Sequence, residues 1–155
     1  MPRFHAPRLA LLCCAIVAVL AGCGGSGSNV QPNYGSLANG ICGKFSDATK
    51  SNPDSAKRIQ AIETALSGLQ GLHPPTTVQT MYTHLLYHFK IATVLLKANI
   101  DELGRLAKRI DKHPNDKVAA RRYARIAGRI QRHLRLAAAD AHSLGLGRCE
   151  AVFTS

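Results

Sequence analysis

Residues 77–144 read TVQTMYTHLLYHFKIATVLLKANIDELGRLAKRIDKHPNDKVAARRYARIAGRIQRHLRLAAADAHSL, and this stretch decides the fold. It holds only two Gly and one Pro, so long helices are the reading that fits. Tyr82, Leu85, Phe89, Ala92, Leu96, Leu103, Leu106 and Ile110 recur at helical spacing and form one seam of a helix over 77–112. Leu86, Ile91, Val94 and Leu95 lie off that seam. A helix apolar on more than one side is packed on more than one side, which predicts a central position. His113-Pro114-Asn115-Asp116 turns the chain. A helix over 116–144 then sets Tyr123, Ile126, Ile130, Leu134, Ala137, Ala141 and Leu144 on one face. Gly145 followed by Leu146 predicts a Schellman-type end, with Leu146 folded back on the last turn.

Upstream, His73-Pro74-Pro75-Thr76-Thr77 breaks the chain, and the Thr pair can cap the helix over 77–112. Before it, a helix runs to about Gly71 with the seam Ile59, Ile62, Leu66 and Leu69. Ser51-Asn52-Pro53-Asp54 is its start signal, with Ser or Asn as cap and Pro in the first turn. A short first helix is expected over 36–49 on Leu37, Ile41, Phe45 and Ala48, weakened by Gly40 and Gly43. Short links between long helices predict an all-α antiparallel bundle of about four helices, one short and three longer. Composition agrees: Ala (22) and Leu (18) dominate the 155 residues, Trp is absent and aromatics are 5%, which disfavours an all-β fold. The length bounds the answer to one small domain.

The N-terminal segment has a different texture. Arg3 and Arg8 without an acid precede the apolar run LALLCCAIVAVL at 9–20, followed by Leu20-Ala21-Gly22-Cys23. A basic start, a short apolar run and small residues form a secretory signal, too short for a membrane span of about 20 residues. Leu20-Ala21-Gly22-Cys23 resembles the lipobox of bacterial lipoproteins. That resemblance implies a diacylglycerol thioether on Cys23 and cleavage before it. Cys13 and Cys14 follow Leu12 and Cys13 rather than small residues and are poor competing acceptors. The expected organisation is a signal peptide over 1–22, the lipidated Cys and a Gly/Ser tether over 23–35, and a helical bundle over 36–155. The processed chain would carry 18 Lys and Arg against nine Asp and Glu. More broadly, the chain has a lipobox, a Gly/Ser tether, Ile41-Cys42, Pro74-Pro75, Ala/Arg-rich helices and a closing Leu144–Cys149 segment. It is similar in layout to small helical lipoproteins of unknown function in high-GC Gram-positive bacteria. The likeness implies fold and address and carries no activity.

With Cys23 taken by lipid, Cys42 and Cys149 remain, either as a bridge or as two free buried thiols. An oxidising compartment favours the bridge. The pair lacks the CxxC spacing of structural zinc sites. His84 and His88 are four apart and share a helix face, so they are weak candidates for a metal. The segment His-Leu-Leu-Tyr-His lacks the Glu of the HExxH pattern, and boundary histidines are the plainer reading. The nine carboxylates are scattered; Asp101 and Glu102, the adjacent pair, diverge by about 100° and face solvent by the seam assignment. No phosphate loop, haem site or catalytic triad spacing occurs, so an enzyme and a cofactor are not expected.

One polar feature rises above background. Arg121, Arg122, Arg125, Arg129, Arg132 and Arg135 share a helical sector of about 140°, and no Asp or Glu occurs from Lys117 to Ala139. A solvated face is the plain reading. A face serving solubility alone usually intersperses acids, and like charges at i,i+4 cost about 0.2–0.5 kcal/mol a pair. Acids on a neighbouring helix or an external polyanion would relieve that cost. The compartment argues against nucleic acid and leaves anionic phospholipid or an anionic wall polymer. The expectation is therefore a non-enzymatic protein held to the extracytoplasmic face of the cell membrane by lipid on Cys23, presenting a basic helix face. The alternative is a small-ligand or metal carrier with a cleft near 77–112 and His84/His88.

Overall fold

A computed structural model describes residues 31–51 and 54–154. The signal segment, Cys23 and the first part of the tether lie outside the described residues. The described chain is all-helical: α1 (Tyr34–Ser51), α2 (Ser55–Gln70), α3 (Thr76–Lys112), α4 (Lys117–Ser143) and α5 (Gly147–Thr154). Each helix packs on its chain neighbour from α1 through α4, α4 packs on α5, and α5 returns to α1. The helices thus close a ring around the buried residues Leu69, Tyr82, Leu85, Phe89, Ala137, Ala141, Leu146 and Phe153.

The starts and stops reflect local chemistry. Asp54 itself caps α2, its carboxylate accepting from the Ala56 N–H at 2.8 Å, in place of the expected Ser51 or Asn52. Asp116 caps α4, accepting from Val118 N–H at 3.1 Å and Ala119 N–H at 2.9 Å while Arg109 Nε donates to it at 2.6 Å. The Ala119 N–H first, and then the Arg109 guanidinium, hold its carboxyl below the usual carboxylate range. No side chain caps α3, whose start after Pro75 leaves the Thr pair without that role. Gly145, at φ 69°, ends α4: Leu146 N–H donates to Ala141 O at 2.8 Å and Gly145 N–H to His142 O at 3.0 Å, the Schellman pair. Leu146 is fully buried in consequence.

Three features depart from the sequence expectation. The C-terminal stretch forms a fifth helix, α5, and it is α5 rather than α4 whose backbone lies beside α1. Residues assigned to the tether join the bundle: Gln31 N–H donates to His73 O at 3.1 Å, and the Tyr34 ring meets Tyr82 edge-on at 6.0 Å. On α1 the buried residues are Ala38 and Cys42, while Leu37 is 46% exposed. A close α1–α5 contact made through the Cys42–Cys149 bridge, with Cα atoms 5.0 Å apart, selects small residues. The large apolar residues are turned to its side.

α3 and α4 span about 55 and 40 Å at 1.5 Å per residue. Both outrun α2, whose first residue Ser55 borders the same hollow as Leu96, Ile100 and Leu103 and whose Glu63 forms an ion pair with Lys97. Beyond Gly104 the two form a hairpin whose Leu106 and Ile110 stay half-buried.

Candidate functional site: the arginine stripe of α4

The stripe lies on the projecting half of that hairpin and continues toward the bundle. All six arginines, Arg121, Arg122, Arg125, Arg129, Arg132 and Arg135, are exposed. The apolar face of α4, on Ala119, Ile130, Ala137 and Ala141, is spent against α3 and α5, so the helix can present them only outward. Two large apolar residues share their sector at 100° per residue: Val118, 69% exposed, and Leu136, 43% exposed.

The structure assigns partners to two of the six. Arg122 forms an ion pair with Glu102 of α3, and Arg121 Nε donates to the Lys117 carbonyl oxygen at 3.2 Å. Glu102 is half-buried against α4 instead of facing solvent, whereas its neighbour Asp101 is exposed. Arg125, Arg129, Arg132 and Arg135 make no ion pair with any carboxylate among the described residues. Relief from neighbouring acids therefore reaches one end of the stripe alone. A groove of about 570 Å³ opens there, between Asn99 and Glu102 of α3 and Val118, Arg121, Arg122 and Arg125 of α4. Its guanidinium N–H groups are planar forks suited to phosphate and carboxylate oxygens.

His84 and His88 are not brought together as a pair. His84 is exposed, and His88 turns to α4, where its Nδ1 lies 3.2 Å from Nδ1 of His133. The two rings tilt against each other with centroids 5.5 Å apart, and Tyr87 meets His88 edge-on at 5.2 Å. Burial in the seam first, then the charges of His88, Arg132 and Arg129, lower the His133 pKa from its ordinary value. The signal for this contact was present in the sequence: His133 comes seven residues after Ile126, on the edge of the α4 seam that faces α3. Among the described residues no group of three or more His, Cys, Asp or Glu is placed to hold a metal. Among the described residues an apolar cleft of about 570 Å³ lies between α1 and α2, and neither His84 nor His88 lines it.

Among the described residues no helix is long and apolar enough to cross a membrane. Comparison with protein-family models, with curated proteins and with solved structures finds no match for this chain.

Proposed function

We propose that the protein is a non-enzymatic module of the bacterial cell envelope, held at the membrane by lipid on Cys23, that uses α4 to bind an anionic surface. The observation that carries this reading is the set Arg125, Arg129, Arg132 and Arg135, exposed and without carboxylate partners among the described residues. Four guanidinium groups along one helix repel each other, and phosphate oxygens arrayed on a surface would neutralise them together. Val118 and Leu136, exposed in the same sector, would enter the interfacial layer of a phospholipid membrane. The Leu20–Cys23 motif supports the address.

The test is binding of the chain to three surfaces: phosphatidylglycerol vesicles, phosphatidylcholine vesicles and a purified phosphate-bearing wall polymer. The variant combines R121Q, R125Q, R129Q and R132Q. Wild type binds a phosphate-bearing surface and releases it as salt rises, since screening acts within about 8 Å at physiological ionic strength. The variant binds at least about tenfold more weakly, each lost contact being worth about 1 kcal/mol near an anionic surface. Preference between the first and third surface distinguishes lipid from polymer. Salt-insensitive binding, or equal binding by the variant, removes the stripe from the function.

A further inference from the structure

α1 and α2 run antiparallel, and the outer side of their seam is an apolar groove of about 570 Å³. Cavities of roughly 300–1,000 Å³ hold small ligands. The walls are Ile41, Phe45 and Ala48 from α1 and Ala61, Ala65 and Gly68 from α2. At one end the helices touch: a Cβ on Gly68 would lie 3.2 Å from Ile41 Cδ1. Toward the other end Ala48 of α1 and Ala61 of α2 line the groove. From Ile41 to Ala48 the groove runs about 10 Å at 1.5 Å per residue.

Polar atoms stand only at the rim, on Lys44, Lys57, Gln60 and Thr64. Thr64 Oγ1 already donates to the Gln60 carbonyl oxygen at 2.8 Å. That leaves the neutral Gln60 amide and the two ammonium groups, and neither ammonium forms an ion pair with a carboxylate among the described residues. No acidic side chain lines the groove. A narrow apolar trough with positive charge at its mouth matches an amphiphile with one chain and a negative head. A second copy of the chain is a poorer occupant: a stable pair needs about 800 Å² per partner, and a twofold contact here would set Lys44 and Lys57 against their own images.

We propose that the α1–α2 groove binds a medium-chain fatty acid, with the chain along Phe45, Ala48 and Ala61 and the carboxylate held by the rim lysines Lys44 and Lys57. This site is separate from the α4 stripe and does not depend on it. A free fatty acid carries one charge, which two lysines on opposite helices can share. Its chain fits between alanine walls that a diacyl lipid would overfill. Binding would also tie α1 to α2.

The test uses the full chain in phosphatidylcholine nanodiscs with octanoic acid carrying a diazirine on its chain, a length that matches the groove. After illumination, label is located by peptide mass. Label is expected in peptides covering residues 41–48 and 57–68. Ala61→Phe, which fills the trough, is expected to cut labelling about tenfold through loss of the apolar contact. Lys44→Gln with Lys57→Gln is expected to cut it about fivefold, the scale of two exposed ion pairs. The same lysine variant should leave labelling by the matching fatty alcohol unchanged. If Ala61→Phe does not fold by circular dichroism, the lysine variant and the alcohol arm decide. Label concentrated on α3 or α4 overturns the proposal. So does equal labelling by acid and alcohol in wild type, or crosslinks joining α1 and α2 of two copies.

Discussion

Replacing Cys42 by Ala and Cys149 by Ser should lower the melting temperature by about 15–25 °C while leaving most of the helix intact at 25 °C. The bridge spans 107 residues and joins α1 to α5, the first and last helices of the ring. Chain-entropy reasoning assigns about 4.7 kcal/mol to closing a loop of roughly 100 residues. A domain of this size loses roughly 3–6 °C per kcal/mol, between the values for smaller and larger domains. Against a total stability of about 5–15 kcal/mol the loss is large. The local penalty at residue 149 is small, because Cys149 Sγ lies 3.5 Å from the Ala38 carbonyl oxygen, where a serine hydroxyl finds an acceptor. Eight residues do not hold a helix alone, so α5 would depend on Leu146 and Phe153, the latter tilted against Phe89 with ring centroids 4.8 Å apart. Calorimetry gives the melting temperature, and hydrogen exchange should show α1 and α5 losing protection before α3 and α4. A fall of less than about 5 °C, with thiol titration confirming the bridge in wild type, would refute the loop-closure account.

Single contacts give further expected outcomes. Arg125 has Arg121 and Arg129 at i±4 and no carboxylate partner among the described residues, so Arg125→Gln should stabilise the fold by about 0.4–1 kcal/mol in urea titration while weakening binding to anionic vesicles. His133 is held below its ordinary pKa, so the unfolded chain takes up its proton first as pH falls; stability should decline from about pH 6.5 downward, and His133→Gln should flatten that slope. Tyr82 Oη donates to Leu69 O at 2.7 Å in the core, and burial, then Tyr34, raises its phenol pKa; Tyr82→Phe should cost about 1–3 kcal/mol by denaturant unfolding because the Leu69 carbonyl loses its partner.

The long helices were legible because their faces are set by large residues in a regular row. Tyr82, Leu85, Phe89 and Ala92 are buried as the period requires, and Ile130, Ala137 and Ala141 repeat the pattern on α4. The Cys42–Cys149 bridge was legible for a different reason, since few thiols leave few pairings. On α1 the period of Leu37, Ile41, Phe45 and Ala48 was right in part: Ile41 and Phe45 pack against the core, while Leu37 is exposed. The buried residues there are Ala38 and Cys42, and small residues carry little weight in a hydropathy pattern. α5 left no such trace because an eight-residue helix opened by Gly147 has too few turns to display a period; it exists through Leu146, Cys149 and Phe153 pressed into the ring. On the stripe, the sequence located every arginine. It could not tell that Glu102 turns from solvent to Arg122, because that contact joins residues 20 positions apart on different helices. The place of His133 on the edge of the α4 seam was legible, but its partner His88 lies 45 positions away on α3, and the i,i+4 neighbour His84 drew the pairing to local spacing.

The bridge also determines where mechanical load travels. For a chain held on its N-terminal side and engaged through α4, the covalent path from Gln31 enters α1, crosses at Cys42–Cys149 and reaches Leu146 and the end of α4. Tension takes this shortcut, so α2, α3 and the loops between them hang outside the loaded line. Pulled from those two points, the protein would stretch by the few residues of α1 and α5 and then stop, its longest helix still folded.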